Sequence, residues 1–177
     1  VTVKVPVFSF QKLTDVDTQL GPEMKSTGEV LGIAKTLEEA VYKGLIAAGY
    51  KIKKGGEIFI TVKDRDKQDA VEIATAGTAA DIEKHGIPVE RVNRIYQSDT
   101  NNCFTLIESG KITYVISTSS KGRDPERDSV RMRRKAVERN VPCFTSLDTV
   151  YALLDCIEGE FNEQNVELVD INAVFKK

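Results

Sequence analysis

The chain has 177 residues, of which 41% are hydrophobic and 29% charged, a composition typical of a folded globular protein and unlike that of a disordered or fibrous chain. Its 25 basic and 27 acidic residues leave a formal net charge of -2, so we expect no overall attraction to nucleic acid or to an anionic membrane. A single histidine excludes metal sites built on several imidazoles, and the 3 cysteines contain no C-x-x-C pair, so neither a disulfide framework nor a zinc knuckle is indicated. No apolar run approaches the ~20 residues of a membrane span. We therefore expect a protein of the reducing cytosol.

The residue pattern in the first third of the chain predicts few strands and helices. Residues 1–10 alternate apolar and polar side chains and contain a proline that suits an edge strand. Residues 11–32 are predicted mostly as loop. Residues 36–48 carry apolar side chains at helical spacing, with Thr36 and Glu39 as a capping box. Because the chain begins inside an apparent strand, we expect it to be a piece of a longer protein.

Strands and helices alternate after a charged, glycine-containing stretch at residues 51–57. We place a boundary there, which divides the chain into residues 1–50, a linker at 51–57, and a domain at 58–177. The predicted strands of this domain cover residues 58–62, 89–92, 112–116, 141–144 and 166–171. The predicted helices cover residues 67–74, 79–85, 129–139 and 147–157. This alternation predicts an α/β fold, a doubly wound parallel sheet of about five strands with helices on both faces.

One connection between the predicted elements is too short for a strand-helix-strand crossover. The helix predicted at residues 67–74 runs directly into Thr75, with no turn and no second strand between them. A strand-helix-strand crossover needs ~10 to 12 residues or more besides its strands. We therefore expect that roughly a dozen residues are missing between Ala74 and Thr75, and that these two are not covalent neighbours.

A short motif made of Thr75, Gly77 and Thr78 precedes a helix predicted to begin near Ala79. Two hydroxyls, a glycine that lets the backbone come close, and the unpaired N–H groups of a helix N-terminus together suit a phosphate. An ordinary helix cap, with Thr78 as the N-cap and Gly77 in a tight turn, explains the same residues and is the more common use of such a motif.

A polar segment at residues 117–122 follows the predicted strand 112–116, and so lies at the carboxyl end of a sheet strand, where open parallel sheets bind ligands. It includes Ser117, Thr118 and Ser119. Lys67 follows another predicted strand at the same edge. Taken singly, these residues are explained by a solvated loop and a surface lysine. Three phosphate-compatible pieces on one predicted edge favour a shared anion site.

The predicted helix at residues 129–139 is rich in arginine and lysine, which could indicate nucleic-acid binding. Acidic neighbours offset this charge, and no aromatic side chains are interleaved for base stacking. We interpret the basic side as a solvated face or an interface, with Val130 and Val137 as the apolar stripe.

Several segments resemble, in order, the carboxyl-terminal part of the large subunit of carbamoyl phosphate synthetases. Residues 3–32, which contain LGPEMKSTGEVLG, resemble the end of its second ATP-grasp half. The segments ITVKDRDKQDAVEIA, TAGTAADIEKHGIPVERVNRI, TYVISTSSKGR and DSVRMRRKAVERNVPCFTSLDTVYALL resemble its terminal regulatory domain. The resemblance implies a methylglyoxal-synthase-like doubly wound domain, preceded at residues 1–50 by a remnant of an ATP-grasp domain.

The resemblance also implies an effector site for a nucleotide monophosphate, such as the feedback inhibitor UMP of bacterial forms, with IMP as a further candidate. The family's phosphate-contacting lysine falls on Lys67, and its two threonines flanking a glycine fall on Thr75 and Thr78. Its polar loop falls on Ser117, Thr118 and Ser119. A lysine that is frequent in the family is Arg94 here, at a position implied to contact the base or ribose, and a common asparagine of the loop is Ser117.

The parent enzyme implied by the resemblance is a ligase that makes carbamoyl phosphate for pyrimidine and arginine biosynthesis from bicarbonate, glutamine-derived ammonia and ATP. Its ATP and Mg or Mn sites lie upstream of Val1, so this stretch is expected to regulate and to hold no catalytic residues, cofactor or metal. Its implied partners in the cytoplasm are the rest of the large subunit and the glutamine amidotransferase small subunit.

Two alternatives stay open. The second domain could be a free-standing methylglyoxal-synthase-like phosphate lyase, which would need a positioned carboxylate base and a histidine near the phosphate. Regulation by an acylated amino acid, as in urea-cycle relatives, is disfavoured by Gly77, which keeps a phosphate cradle open.

Overall fold

The computed structural model describes residues 1–9, 24–62, 92, 102–118, 128–170 and 173. Its elements, in chain order, are β1 (Thr2–Val7), β2 (Gly28–Ile33), α1 (Leu37–Ala47), β3 (Glu57–Thr61), α2 (Cys103–Glu108), β4 (Ile112–Ser117), α3 (Asp128–Glu138), β5 (Cys143–Phe144) and α4 (Leu147–Glu158). None of the helices in these ranges is long and apolar enough to cross a membrane.

The described residues form two compact units. The first unit contains Val1–Ser9, residues 24–54 and residues 151–170, and the second contains residues 55–62, 102–118 and 128–150. Residues 151–170 therefore belong to the first unit. The predicted division into residues 1–50, 51–57 and 58–177, with an ATP-grasp remnant at the start, stays a prediction.

The first unit is a two-stranded antiparallel sheet covered by a helix. Strands β1 and β2 pair with Thr2 opposite Ile33 and Val7 opposite Gly28, and burial alternates along β1 as its period-2 pattern predicts. The prediction that residues 11–32 are mostly loop was wrong for β2, which begins at Gly28. This strand has a weak pattern because two of its positions are glycines, which contribute no side chain.

Helix α1 packs on this sheet at very short range. A Cβ atom at Gly32 of β2 would lie 1.9 Å from the carbonyl oxygen of Ala40 in α1, and one at Gly44 of α1 would lie 2.6 Å from Cγ2 of Val5 in β1. These distances are far below van der Waals contact. Glycine is therefore required at both positions because the helix backbone rests directly on the strands.

The N-terminus of α1 confirms one half of the predicted capping box. The Thr36 hydroxyl accepts a hydrogen bond from the amide N–H of Glu39 at 3.3 Å. The reciprocal half was predicted wrongly. The Glu39 carboxylate accepts instead from the ammonium of Lys43 at 2.9 Å and from the amide N–H of Glu167 at 2.7 Å, because a charged donor holds a carboxylate more strongly than a backbone amide does.

The second unit contains a parallel sheet of three strands in the described ranges, in the order β3-β4-β5. The central strand β4 is buried along almost its whole length, as expected for a parallel strand covered on both faces. This confirms the predicted α/β fold with a parallel sheet. The predicted strands 58–62, 112–116 and 141–144 correspond to β3, β4 and β5.

The remaining predicted elements have different outcomes. Residues 166–170 form no strand; an alternating pattern suggested one, but Leu168 is 94% exposed and the segment is held on α1 by polar contacts at Glu167. The predicted helices 67–74 and 79–85, the junction of Ala74 with Thr75, and strand 89–92 apart from Val92 lie outside the described residues.

The register between β3 and β4 shifts at the start of β3. Glu57 pairs with Ile112, whereas the next residue, Ile58, pairs with Tyr114, so the register shifts by one residue at Thr113. Gly56 has a φ of +118°, and a Cβ there would lie 1.9 Å from the Thr113 hydroxyl oxygen. The glycine thus lets β3 pass close to β4 at the amino edge.

The core of the second unit lies between the sheet and its helices. Its buried members are Cys103, Ile107, Ile112, Val115, Met132 and Ala136. Helix α2, which contributes two of them, was not predicted from the sequence; it begins at a capping box formed by Asn102 and Thr105. Val130 and Val137, the predicted apolar stripe of α3, are half-buried, and the buried residues of this helix include Met132 and Ala136.

Candidate functional site

The carboxyl ends of β3 and β4 lie side by side at one edge of the parallel sheet. Thr61, the last residue of β3, pairs with Ser117, the last residue of β4. The next amide, that of Thr118, donates a hydrogen bond to the carbonyl oxygen of Thr61 at 3.1 Å. The backbone therefore holds the ends of both strands together at the edge where parallel sheets bind ligands.

The Ser117 side chain has an unusual environment at this edge. The residue is 1% exposed, and within the described part of the chain its hydroxyl oxygen has no hydrogen-bond partner. Burying a hydroxyl without a partner costs about 1 to 3 kcal/mol, and most buried polar groups have a partner. With no partner among the described residues, this hydroxyl can donate to or accept from a molecule bound at the carboxyl edge of the sheet.

The predicted site residues divide into two groups. Ser117 and Thr118 lie at the carboxyl edge of β4, and both are buried. The others lie outside the described residues: Lys67, Thr75, Gly77, Thr78, Ser119 and Arg94. That all of them share one anion site stays a prediction.

The cysteine thiols are not poised for nucleophilic chemistry. Burial raises the pKa of Cys143, on β5, to about 12 and that of Cys103, at the start of α2, to about 11. Burial likewise raises the pKa of Cys156 in α4 to about 11. Because the thiolate is the reactive form, these side chains act as small apolar groups at neutral pH.

Arg133 on α3 is a buried cation on the basic side of the helix, which was predicted to be a solvated face or an interface. It is 1% exposed, and its positive charge opposes the rise in the pKa of the Cys143 thiol. The solvated face was therefore wrong for this residue, and the interface stays a prediction. Centring the helix face on Met132 and Ala136, which are four residues apart, would have placed Arg133 beside the buried row.

The described residues provide acceptors and hydroxyls but no cluster suited to a metal. In the ranges that the structure covers, no group of three or more histidine, cysteine, aspartate or glutamate side chains could hold a metal ion. The chemistry available at the carboxyl edge of β3 and β4 is hydrogen bonding by serine and threonine groups and by backbone amides.

A comparison with protein families places this edge in a known kind of domain. The matched segment runs from the last residue of β3 through β4 and α3 to just beyond β5. It includes all the residues predicted to bind the effector, from Lys67 to Ser119. Residues 61–145 of this chain match the family model described as the MGS-like domain, and the chain thus contains an MGS-like domain in this stretch.

Proposed function

We propose that this chain is the regulatory part of a carbamoyl phosphate synthetase large subunit, and that its MGS-like domain binds a nucleotide monophosphate, with UMP as the first candidate. The observation that carries the proposal is the Ser117 hydroxyl, which is buried at the carboxyl edge of the sheet and has no hydrogen-bond partner in the described ranges of the chain. A ligand at this edge would supply the missing partner and remove the cost of burying the hydroxyl.

The phosphate is the chemically suitable part of such a ligand. A phosphate dianion loses strong hydration on binding and needs several donors around it, preferably including a cation. Ser117 would supply a hydroxyl. The sequence motifs assign the cation to Lys67 and further donors to Thr75 and Thr78 with the helix N-terminus that follows them. Arg94 would approach the base or ribose.

The identity of the larger protein rests on the resemblance of residues 3–32 and of the later segments to that family. In this proposal the chain works in the cytoplasm with the rest of the large subunit and the amidotransferase small subunit, and the ATP and metal sites of the ligase lie elsewhere. An end product of pyrimidine synthesis such as UMP is then a suitable feedback inhibitor, and the domain regulates without catalysing.

Titration of the chain with UMP and IMP by calorimetry tests the proposal. Replacing Lys67 by alanine should weaken binding by about 1.5 to 3 kcal/mol, the usual contribution of a hydrogen bond to a charged group. Lys111→Ala is the matched control, because this exposed lysine precedes β4 at the opposite edge of the sheet. Failure of either nucleotide to bind, or equal affinity of the Lys67 variant and the parent chain, would contradict the proposed site.

The Ser117→Ala variant distinguishes a role of the hydroxyl in ligand binding from a role in the stability of the fold. We expect weaker nucleotide binding, by about 0.5 to 1.5 kcal/mol, and an unchanged or slightly higher free energy of unfolding, because the hydroxyl has no partner to lose among the residues that the structure describes. Unchanged affinity together with a clear loss of stability would show that this hydroxyl serves the fold and not the ligand.

A further inference from the structure

The segment after α4, residues 159–170, lies on the first unit, and we call it the strap. It contains no helix or strand. None of its side chains is fully buried, and only Phe161, Val166 and Val169 are half-buried. Its attachment therefore depends on a small number of specific contacts and not on a broad apolar interface.

Three of these contacts converge on one residue, Glu167. Its amide N–H donates to the Glu39 carboxylate at 2.7 Å, and its carbonyl oxygen accepts from the Lys43 ammonium. Its carboxylate pairs with the Lys35 ammonium at 2.6 Å. Backbone and side chain of Glu167 are thus both bound to the segment formed by the end of β2 and the first turns of α1.

The receiving pair, Glu39 and Lys43, is well shielded from water. Their side chains are 10% and 19% exposed, and they form an ion pair at 2.9 Å. The Lys43 ammonium also donates to the carbonyl oxygen of Ile33 at 3.0 Å. With Glu167 as its third acceptor, all three of its hydrogens are used. The strap completes the hydrogen bonding of a buried charged pair.

Two further contacts of the strap are peripheral. Lys54 and Glu160 form an ion pair at 2.7 Å in which both side chains are exposed, and such pairs contribute little. The Phe161 ring lies 5.8 Å from the Tyr42 ring of α1, measured between centroids. A Cβ at Gly159 would lie 2.3 Å from the Phe161 ring, so this glycine lets the aromatic ring fold back against α1.

We propose that residues 159–170 are a releasable strap that opens and closes on α1 as one piece, with Glu167 as its latch. A segment with few buried apolar groups and a few polar attachments belongs to the low-stability part of a protein, which opens without global unfolding. Opening uncovers the Tyr42 ring and the Glu39–Lys43 pair, while α1 keeps its contact with the β1–β2 sheet through Gly32 and Gly44. This inference concerns the first unit and does not depend on the proposed effector site.

Hydrogen exchange of the intact chain, measured by mass spectrometry, tests the strap. Glu39→Gln keeps the shape of the side chain and removes the charge that receives the latch. We expect exchange in peptides from 159–170 to become faster by about tenfold, because the Glu167 amide then donates to a neutral oxygen in place of a charged one and the ion pair with Lys43 is lost. Glu38→Gln is the matched control, since it makes the same change in the same turn of α1 and should leave the strap unaffected.

A second variant acts from the other side of the contact. Glu167→Pro removes the N–H that Glu39 accepts and changes nothing in α1, so it keeps the test decisive if Glu39→Gln folds poorly. Faster exchange in the strap, with α1 and β4 protected as in the parent chain, is the expected result for both variants. Unchanged exchange in the strap, or an equal loss of protection in α1, would overturn the proposal.

Discussion

The two units reach close packing by opposite means. In the first, α1 rests on the β1–β2 sheet through Gly32 and Gly44, where no room exists for even one additional carbon atom. In the second, apolar side chains such as Ile107 and Val115 fill the space between sheet and helices. The first unit should therefore be sensitive to added volume and the second to lost volume.

The largest effect is expected in the second unit from Ile107→Ala. Ile107 is among the most buried side chains of the described residues, and its truncation leaves a cavity next to β4 and α3. We expect a loss of about 2 to 5 kcal/mol, measured as reduced exchange protection of β4 and α3. Ile58→Ala on β3, where the side chain is exposed, should cost far less. If both substitutions have similar effects, the apolar core is not the main support of this unit.

A smaller loss of stability, caused by added and not by lost volume, is expected in the first unit from Gly32→Ala. The added methyl group would meet the Ala40 carbonyl oxygen, which belongs to the backbone and cannot rotate away. Overpacking of this kind typically costs about 1 to 3 kcal/mol, and protection of α1 and β2 should fall. Gly28→Ala, at the start of the same strand, has nothing within 4 Å of the new carbon and should be nearly neutral. Tolerance of Gly32→Ala would mean that the helix can lift off the sheet.

The smallest effect is a difference in acid response between the units. The hydrogen bond from Lys43, followed by that from the Glu167 amide, holds the pKa of Glu39 below its usual value of 4.5. A carboxyl group whose pKa is lowered by folding contributes stability above its unfolded pKa, and this is lost as pH falls through the folded value. Protection factors of the first unit should therefore decline below pH 4.5 in residues 159–170, and Glu39→Gln should flatten that decline.

The second unit provides the comparison for this titration. Its Glu108 also has a lowered pKa, chiefly through the hydrogen bond from Lys135, but the Glu108 side chain is 41% exposed and solvent screens the interaction. Its protection should depend less on acid. An equal decline in both units, unaffected by Glu39→Gln, would show that general charge repulsion and not this buried pair controls the acid response.

Elements with a periodic or continuous apolar pattern were visible in the sequence, whereas strand β2 and helix α2 were not. The continuous apolar run of β4 and the alternation in β1 each predicted the correct strand, because burial by side chains leaves a periodic trace. Strand β2 was missed because Gly32 makes its contact through the absence of a side chain. Helix α2 was missed because its six residues are too few to show a helical period.

The position of Ser117 and Thr118 could be predicted from the sequence, but the hydrogen bonding of the Ser117 hydroxyl could not. Ser117 and Thr118 follow a buried strand, and the rule that ligands bind at carboxyl ends was enough to select them. That the Ser117 hydroxyl lacks a partner depends on how the neighbouring elements pack around it, which a single sequence does not encode in any local pattern. Burial of Arg133 was hidden for a related reason, since arginines at neighbouring positions of one helix look alike until the partner surface is known.

The register shift between β3 and β4 at the amino edge of the sheet determines which side chains are neighbours at the carboxyl edge. Had pairing continued from Glu57 opposite Ile112 without a shift, Thr61 would stand opposite Ile116 and not opposite Ser117. Side chains alternate between the two faces of a strand, so an offset of one residue exchanges an apolar neighbour for a hydroxyl. The space that Gly56 leaves for Thr113 therefore helps to determine which side chain of β4 lies beside Thr61 at the carboxyl edge. A larger residue at Gly56 would be expected to change which side chain of β4 lies beside Thr61, with no substitution near that edge.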